Sequence, residues 1–240
     1  METGVEAVRP RLDREAVGRL RQGALSVLEN EGAGARGELR RALDEYVELV
    51  VGSAVPAGVY TVLPLLETGR DGISTWAGLI ASPMFARFVE RCVDPRALAF
   101  AVVTIGEAVD REIARDRPLF DRLVLDAVGS VLVEIVADLV EDAWKGEPAA
   151  RGLESGMRVS PGYCDWPVEG QGVVFEALDA GSVGITLNSS FVMIPLKSLS
   201  SVAVVAGRVP ETSACAFCGK DGCAWRRIPA SVSKDENAGE

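Results

Sequence analysis

Apolar residues recur at helical spacing in two stretches near the start of the chain. In residues 11–30 they fall on one face of a helix, with charged residues on the opposite face. A glycine-rich break at residues 31–37 separates them from residues 38–51, which repeat the same spacing. The pattern predicts two amphipathic helices after an irregular start at residues 1–10. Such a pair forms either a peripheral helical layer or a mobile lid.

Short apolar runs alternate with turn residues through the middle of the chain. Residues 59–63 are β-branched and aromatic between Pro and Gly residues, which favours a short strand or a buried crossover. Residues 97–103 are continuously apolar, as a strand buried on both faces would be, and predict a central strand. Ser82 followed by Pro83 marks the start of a short helix over residues 84–93.

The longest apolar pattern covers residues 119–144 and has a helical period over roughly 40 Å. It predicts a long core helix that ends at residues 145–148. Glu134 interrupts the most apolar part of this helix, where an ionised carboxylate is costly unless it is paired. Equally, Glu134 fits an ordinary polar stripe at four-residue steps. The other members of that stripe are Asp126, Ser130 and Asp138.

A long helix combined with several strands predicts an α+β fold with an antiparallel or mixed sheet. The remaining predicted elements are a helix at residues 168–178 and strands at residues 184–187 and 201–205. We divide the chain into an N-terminal helical segment, an α+β core and a cysteine-containing C-terminal tail. Their predicted ranges are residues 1–55, 56–208 and 209–240.

Composition and charge restrict the class of function. A chain of 240 residues with 48% hydrophobic content can bury a sizeable core. Its net charge of -10 disfavours binding to nucleic acid or to anionic membranes. No apolar run approaches the ~20 residues that span a bilayer, and the first residues lack the basic and apolar regions of a signal peptide. We therefore expect a cytoplasmic protein.

The absence of histidine excludes several chemistries. With no histidine, the chain itself forms no Ser-His-Asp or Cys-His nucleophile pair, no His-ligated zinc site and no imidazole bond to cobalt. The five cysteines, in a reducing compartment, favour thiols or metal ligands over disulfides.

Residues 158–167 gather a cation, a tight turn, aromatic rings and a carboxylate in one loop. Pro161 fixes φ and Gly162 tolerates a positive φ, so the backbone can turn sharply and leave N–H groups for a ligand. The planar fork of Arg158 suits a carboxylate, and Tyr163 offers a ring and a hydroxyl. The alternative is a rigid surface turn in which both side chains only pack.

Two sequence motifs resemble one known family. Arg-x-x-Pro-Gly-Tyr-x-x-x-Pro, at residues 158–167, is similar to the S-adenosylmethionine-binding motif in the activation domain of cobalamin-dependent methionine synthase. Ser-Phe-x-Met-x-Pro-x-x-Ser-x-Ser, at residues 190–200, resembles the run that follows at a comparable distance in that family. We refer to residues 158–167 as the motif loop and to residues 190–200 as the second block. The chain is thereby identified as a stand-alone relative of that activation domain.

The resemblance implies a ligand and a partner. The chain would bind S-adenosylmethionine and dock a cobalamin-carrying protein or methyltransferase, supporting reductive methylation of the cobalt with electrons from a reductant protein. Arg158 would hold the methionine carboxylate and Glu134 the ammonium group. The backbone from Pro161 through Gly162 to Asp165, with the Tyr163 ring, would hold the remainder. No residue of this chain would act as nucleophile, so the resemblance implies positioning and leaves open whether the chain is itself an enzyme.

The chain also departs from the family pattern. Asn188 and Ser189 stand where a Thr-Glu pair commonly precedes the second block, and a further acidic contact from the N-terminal part of the family domain has no match. A non-catalytic ligand-binding or redox accessory protein of a corrinoid methyltransferase system is therefore the alternative function.

The C-terminal tail contains a spacing typical of metal ligands. Cys215, Cys218 and Cys223 form C-x2-C-x4-C around glycines, which suits zinc or an iron–sulfur cluster. Cys164 or Cys92 would supply a fourth ligand. A reactive dithiol and an inert tail are the alternatives.

Overall fold

The computed structural model describes residues 4–30 and 36–219. Its helices are α1 (Arg14–Asn30), α2 (Arg36–Ser53), α3 (Pro83–Glu90), α4 (Glu107–Ala114), α5 (Leu119–Ala150), α6 (Gln171–Ala177) and α7 (Ala214–Phe217). Its strands are β1 (Glu6–Val8), β2 (Ala57–Pro64), β3 (Glu67–Gly69), β4 (Gly72–Thr75), β5 (Gly78–Ile80), β6 (Val93–Thr104), β7 (Glu154–Ser155), β8 (Thr186–Leu187), β9 (Met193–Ile194) and β10 (Ser198–Arg208).

The central sheet has five antiparallel strands in the order β1-β2-β6-β10-β7. The long strands β6 and β10 pair along most of their length, with an irregularity in register between Val205 and Ala206. Strands β3, β4 and β5 form a separate antiparallel meander, and β8 pairs with β9. The protein is therefore a mixed α+β structure organised around a sheet and one long helix.

Both faces of the central sheet are buried, which explains the continuous apolar run in β6. Ala99 and Ala101 face a first core that also contains side chains of α1, α2 and α5. Leu98, Phe100 and Val102 face a second core formed with α3, α6 and the small meander. Alternate side chains of one strand thus supply two cores, so neither face shows a polar pattern.

The N-terminal helices pack against the long helix and complete the first core. Leu20 and Leu28 of α1 and Val47 and Val50 of α2 are fully buried there. Arg19 of α1 also forms an ion pair with Asp138 of α5. Of the two arrangements expected for this helix pair, the structure shows the packed layer.

Four local expectations need correction. The start of the chain contains β1, which pairs with β2 and was not expected. The meander of β3 to β5 was not expected either. The helix α5 continues beyond residue 145 and includes Pro148 in its last turn. The predicted helix at residues 168–178 consists of a 3-10 turn at Val168–Gly170 followed by α6.

The end of α5 is stabilised by contacts that a pattern of apolar residues does not show. Lys145 pairs with Glu141 (2.7 Å) and Arg151 pairs with Glu147 (2.7 Å), each at i,i+4 spacing. Pro148 is buried, and its carbonyl accepts the amides of Arg151 and Leu153. Over the ranges described, no helix is both long enough and apolar enough to cross a bilayer.

Candidate functional site

The motif loop is fixed to the central sheet at its start. Val159 exchanges backbone hydrogen bonds with Val202 of β10, at 2.9 and 2.8 Å. Within the loop, the amide of Gly162 donates to the carbonyl of Trp166 (2.8 Å). The loop is therefore a closed turn whose position is set by the edge of the sheet.

Arg158 lies against the long helix. Its Nη1 is 2.6 Å from Oε2 of Glu141, and its Nη2 is 2.8 Å from Oδ1 of Asp138 and 3.5 Å from Oε2 of Glu134. The Arg158 side chain is only 21% exposed. One guanidinium is thus shared by three carboxylates on successive turns of α5. Glu134 is tolerated in an apolar stretch because its side chain is on the exposed side of the helix.

The three carboxylates differ in their other partners. Lys145 pairs with Glu141 (2.7 Å), and Arg19 pairs with Asp138. Glu134 makes the longest contact with the guanidinium, and its side chain is 56% exposed. Since an exposed and longer ion pair is the weakest of the three, the Glu134 contact is the one that exchanges most easily.

The tip of the motif loop faces open space. Gly162 has φ of 89°, which glycine adopts without strain, and a Cβ at this position would meet nothing within 4 Å. Tyr163 is 70% exposed. Gly162 is therefore accessible from solvent, and the Tyr163 ring borders the same space, whereas Pro161 is buried. The expectation that the turn leaves its N–H groups for a ligand needs correction, because the amides of Gly162 and Tyr163 donate to the carbonyls of Trp166 and Ser160 within the loop.

Asp165 connects the motif loop to α3. Its Oδ1 accepts a hydrogen bond from the hydroxyl of Ser82 (2.6 Å), and its Oδ2 accepts one from the amide of Met84 (2.7 Å). Ser82 is the N-cap of α3, where a carboxylate also interacts favourably with the helix dipole. The Asp165 side chain therefore positions the loop, a role that residue spacing does not indicate. The predicted contact of this residue with a ligand stays a prediction.

The second block also contacts the polar stripe of α5. Lys197 Nζ donates to Oδ1 of Asp126 (2.7 Å) and to Oγ of Ser130 (2.8 Å). Behind it, Ser200 Oγ donates to Oε1 of Gln171 (2.6 Å). The stripe is therefore engaged by one cation from each motif: Lys197 at Asp126 and Ser130, and Arg158 further along the helix.

Residues 188–196 form a turn with an exposed apolar side. The side-chain oxygen of Asn188 accepts the amides of Ser190 (2.9 Å) and Val192 (3.0 Å). Asn188 thus shapes the turn through its side-chain oxygen. On this turn Ile194 is 46% exposed and Leu196 is 65% exposed.

Two adjoining cavities lie between these elements, with volumes of about 1120 Å³ and about 310 Å³. Four residues line both: Glu134, Ser160, Tyr163 and Leu199. The larger cavity is also lined by Arg158 and the smaller one by Lys197. We refer to the two together as the groove. Its walls are the motif loop, the second block and the polar stripe of α5.

Three of the cysteines come together at the wall of the larger cavity. Cys164, Cys215 and Cys218 line it, and the Cys164 thiol is hydrogen-bonded with Cys218. Burial, followed by the contact with Cys218, raises the pKa of Cys164 to about 12. Cys92 is buried elsewhere in the second core, where burial raises its pKa to about 11.

A metal centre receives no support from this arrangement. Among the residues that the structure describes, no three Cys, Asp or Glu side chains are placed so as to hold a metal ion. Cys223 lies outside the described residues, so the predicted set of Cys215, Cys218 and Cys223 stays a prediction.

Sequence reasoning did not assign several polar residues of the site. Asp138 was placed in the polar stripe but given no role in the site, and Glu141 follows Glu134 at i+7, so helical spacing could have added it to the same acidic face. Arg19 comes from a distant helix and gave no signal. Ser213 lines the larger cavity, and its buried hydroxyl has no hydrogen-bond partner among the described residues.

Comparisons with known proteins support the fold. No protein-family model matches the chain, and no curated protein is significantly similar to it in sequence. The chain is similar to the crystal structure of the MetH reactivation domain bound to AdoHcy, with a TM-score of 0.62 and 15% sequence identity. The match covers 88% of this chain and 81% of that chain. The chain thus has the fold of the MetH reactivation domain, with a curled antiparallel sheet and a long helix. The predicted fold class and the resemblance are confirmed.

Proposed function

We propose that this chain binds S-adenosylmethionine in the groove and docks a cobalamin-carrying partner to support reductive methylation of its corrinoid. One observation carries the proposal: both sequence motifs meet the same polar stripe of α5 around one groove, with Arg158 and Lys197 on either side of Glu134. The similarity to a domain whose structure contains AdoHcy supports the class of ligand.

The groove suits a ligand of this kind in size and in charge. Small-molecule sites usually have volumes of about 300–1,000 Å³, and the two cavities measure about 310 and 1120 Å³. S-adenosylmethionine carries a carboxylate, an ammonium and a sulfonium group. Arg158 offers a donor fork for the carboxylate, and Glu134 offers an acceptor for the ammonium.

Binding would require one local exchange of partners. Arg158 is held by Asp138 and Glu141 at 2.8 and 2.6 Å, and by Glu134 at 3.5 Å. Opening only the longest contact would turn Glu134 towards the ammonium group, while the other two carboxylates keep the guanidinium in place. The remaining N–H donors of Arg158 would then hold the ligand carboxylate.

The motif loop would hold the rest of the ligand. Its backbone is open above Gly162, and the Tyr163 ring provides a flat apolar surface for the adenosyl group. Asp165 would act through position, because its carboxylate ties the loop to Ser82 and Met84. The bound cofactor would supply the methyl group, and this chain would supply its orientation.

The cobalt and its ligand would come from another protein. The chain has no histidine, so an imidazole ligand must come from the partner. Apolar side chains beside the groove offer a docking face for that partner. They are Tyr163, Val192, Ile194 and Leu196, each 42–70% exposed. A reductant protein would also be needed, to supply electrons for the reductive methylation.

The second candidate is a non-catalytic redox accessory protein of a corrinoid methyltransferase system. It is favoured by the grouping of Cys164, Cys215 and Cys218 at the groove. Such a protein would bind no S-adenosylmethionine.

Calorimetric titration with S-adenosylmethionine separates the two functions. We expect binding by the wild-type chain and weaker binding by Glu134→Gln, by about 1–2 kcal/mol, because a charge-assisted hydrogen bond to the ammonium group becomes neutral. Glu107→Gln is the matched control, since Glu107 is an exposed helical carboxylate paired with Arg111. No heat at millimolar ligand, with a folded protein, would rule out the proposed function.

A further inference from the structure

The chain after β10 folds back onto the motif loop. The amide of Val209 donates to Oε2 of Glu154 (2.8 Å), and Arg87 Nη2 donates to the carbonyl of Phe217 (2.8 Å). The Phe217 ring packs edge-on against Phe88 of α3, with centroids 5.5 Å apart. Residues 209–218, here called the return segment, are therefore docked against α3 and form one wall of the larger cavity.

This docking brings together two thiols that are far apart in sequence. Cys164 lies in the motif loop, and Cys218 directly follows α7. The two thiols are hydrogen-bonded with each other, and both pack on the second core. The proposed S-adenosylmethionine site makes no use of either thiol.

We propose that Cys164 and Cys218 form a reversible disulfide that fastens the return segment to the motif loop. The oxidant is a small disulfide such as oxidised glutathione. One cysteine attacks a sulfur of that disulfide and releases one thiol, and the second cysteine then attacks the mixed disulfide and releases the other. The new Sγ–Sγ bond replaces the bond of the small disulfide, and the two cysteine protons end on the two released thiols.

Cys218 is a better partner for Cys164 than Cys215 is. The contact with Cys218 raises the pKa of Cys164 more than the charge of Cys215 does. Cys218 is also nearly buried against the same apolar cluster, whereas Cys215 is partly exposed. A bond between Cys215 and Cys218 is the competing product.

The bond would make one wall of the groove depend on redox conditions. Residues on both sides of it line the larger cavity, so the bond holds two walls of that cavity together. This inference does not require the groove to bind S-adenosylmethionine, and its test uses no ligand.

Peptide mapping after oxidation tests the proposal. The full chain is equilibrated with oxidised glutathione at pH 8.5, alkylated, digested with trypsin without reduction and analysed by mass spectrometry. The tryptic peptide of residues 159–197 contains Cys164, and the tryptic peptide of residues 209–220 contains both Cys215 and Cys218. The proposal expects these two peptides to be cross-linked, and a reductant should separate them.

Variants identify the bond. The cross-link should disappear in Cys164→Ser and in Cys218→Ser, and should remain in Cys215→Ser and in the control Cys92→Ser. The melting temperature should rise on oxidation of the wild type and not of Cys164→Ser.

Three results would overturn the inference. The first is a peptide of residues 209–220 that has no cross-link and a mass 2 Da below that of its reduced, unalkylated form, which would place the bond between Cys215 and Cys218. The second is a cross-link from residues 159–197 to the peptide that contains Cys223. The third is complete alkylation of Cys164 under all oxidising conditions. This result would overturn the inference even if one equivalent of bound zinc or iron protected the other thiols from alkylation.

Discussion

Replacing Arg158 by alanine tests the site most directly, because this side chain has both a structural and a proposed binding role. The change removes the cation shared by Glu134, Asp138 and Glu141. Two of these carboxylates keep another cation, since Lys145 pairs with Glu141 and Arg19 with Asp138.

The structural cost should therefore be moderate. Breaking a buried ion pair typically costs about 3–5 kcal/mol when an uncompensated charge is left behind. Here Glu134 is more than half exposed, and Asp138 and Glu141 keep their pairs with Arg19 and Lys145, so we expect a loss of about 1–2 kcal/mol in the free energy of unfolding. For a chain of this size that corresponds to a fall of about 2–8 °C in melting temperature.

The loss in ligand binding should be larger. Alanine removes the fork that would hold the ligand carboxylate, at a cost of about 2–4 kcal/mol, or about 30–1000-fold in Kd. Arg158→Lys keeps the charge but loses the planar fork, so an intermediate loss is expected. Stability and affinity should therefore separate, with affinity the more sensitive of the two.

Calorimetry with S-adenosylmethionine and thermal unfolding of the same samples provide the two measurements. Arg111→Ala is the matched control, because Arg111 forms an exposed i,i+4 pair with Glu107 and lies outside the groove. An Arg158→Ala protein with unchanged affinity and reduced stability would show that the motif arginine only packs. A stability loss above about 4 kcal/mol would refute the argument that Lys145 and Arg19 compensate.

Three further predictions concern the partner, the loop and the thiols. The purified chain should transfer no methyl group to free cobalamin without a partner and a reductant, because it has no histidine to ligate cobalt; turnover by the chain alone would contradict the docking proposal. Asp165→Asn should lower the free energy of unfolding by about 1–2 kcal/mol through weaker hydrogen bonds to Ser82 and Met84, whereas a loss of ligand affinity with unchanged stability would indicate direct ligand contact. The pKa of Cys164 rises from 9.0 to about 12, so the contribution of this thiol to native-state stability is complete below about pH 9 and is lost between pH 9 and 12. Because only the thiolate reacts, iodoacetamide at pH 8 should alkylate Cys164 about 1000-fold more slowly in the native protein than in urea.

The long elements of the fold were predictable because burial governs their whole sequence. The helix α5 packs under the sheet along most of its length, so its apolar residues follow the helical period. The strand β6 is buried on both faces, and its continuous apolar run followed from that. In both cases local pattern and tertiary environment agree.

The short elements were missed because their stability comes from a few specific contacts. The meander of β3 to β5 depends on Gly72, where a Cβ would lie 2.0 Å from the carbonyl oxygen of Ile80. The Asp71-Gly72 pair was the available hairpin signal. The continuation of α5 beyond Pro148 was also missed. Ion pairs support that turn of the helix, and such pairs contribute nothing to an apolar pattern.

In the site, sequence indicated the residues but not their partners. Arg158 was predicted from the motif. Glu134 was assigned through the family resemblance, since its place in an apolar helix left its role open, and the structure places the two side chains in contact. Asp138 was assigned to an ordinary polar stripe, and its contact with Arg158 depends on how the sheet edge meets the helix. Long-range geometry of this kind is not contained in residue spacing.

The same ion pairs connect the groove to the N-terminal helices. Asp138 forms ion pairs with Arg158 of the motif loop and with Arg19 of α1. A movement of Arg158 therefore changes the electrostatic interaction between Asp138 and Arg19. If the ligand opens only the Glu134 contact, Arg158 keeps its bond to Asp138 and α1 stays in place. If Arg158 instead left all three carboxylates, Asp138 would be held by Arg19 alone, and binding would depend on α1. Because the Glu134 contact is the longest and most exposed of the three, the first course costs less free energy. Arg19→Ala should therefore leave the affinity for S-adenosylmethionine within about twofold of the wild type, since the helix pair completes the core without taking part in the exchange at the groove.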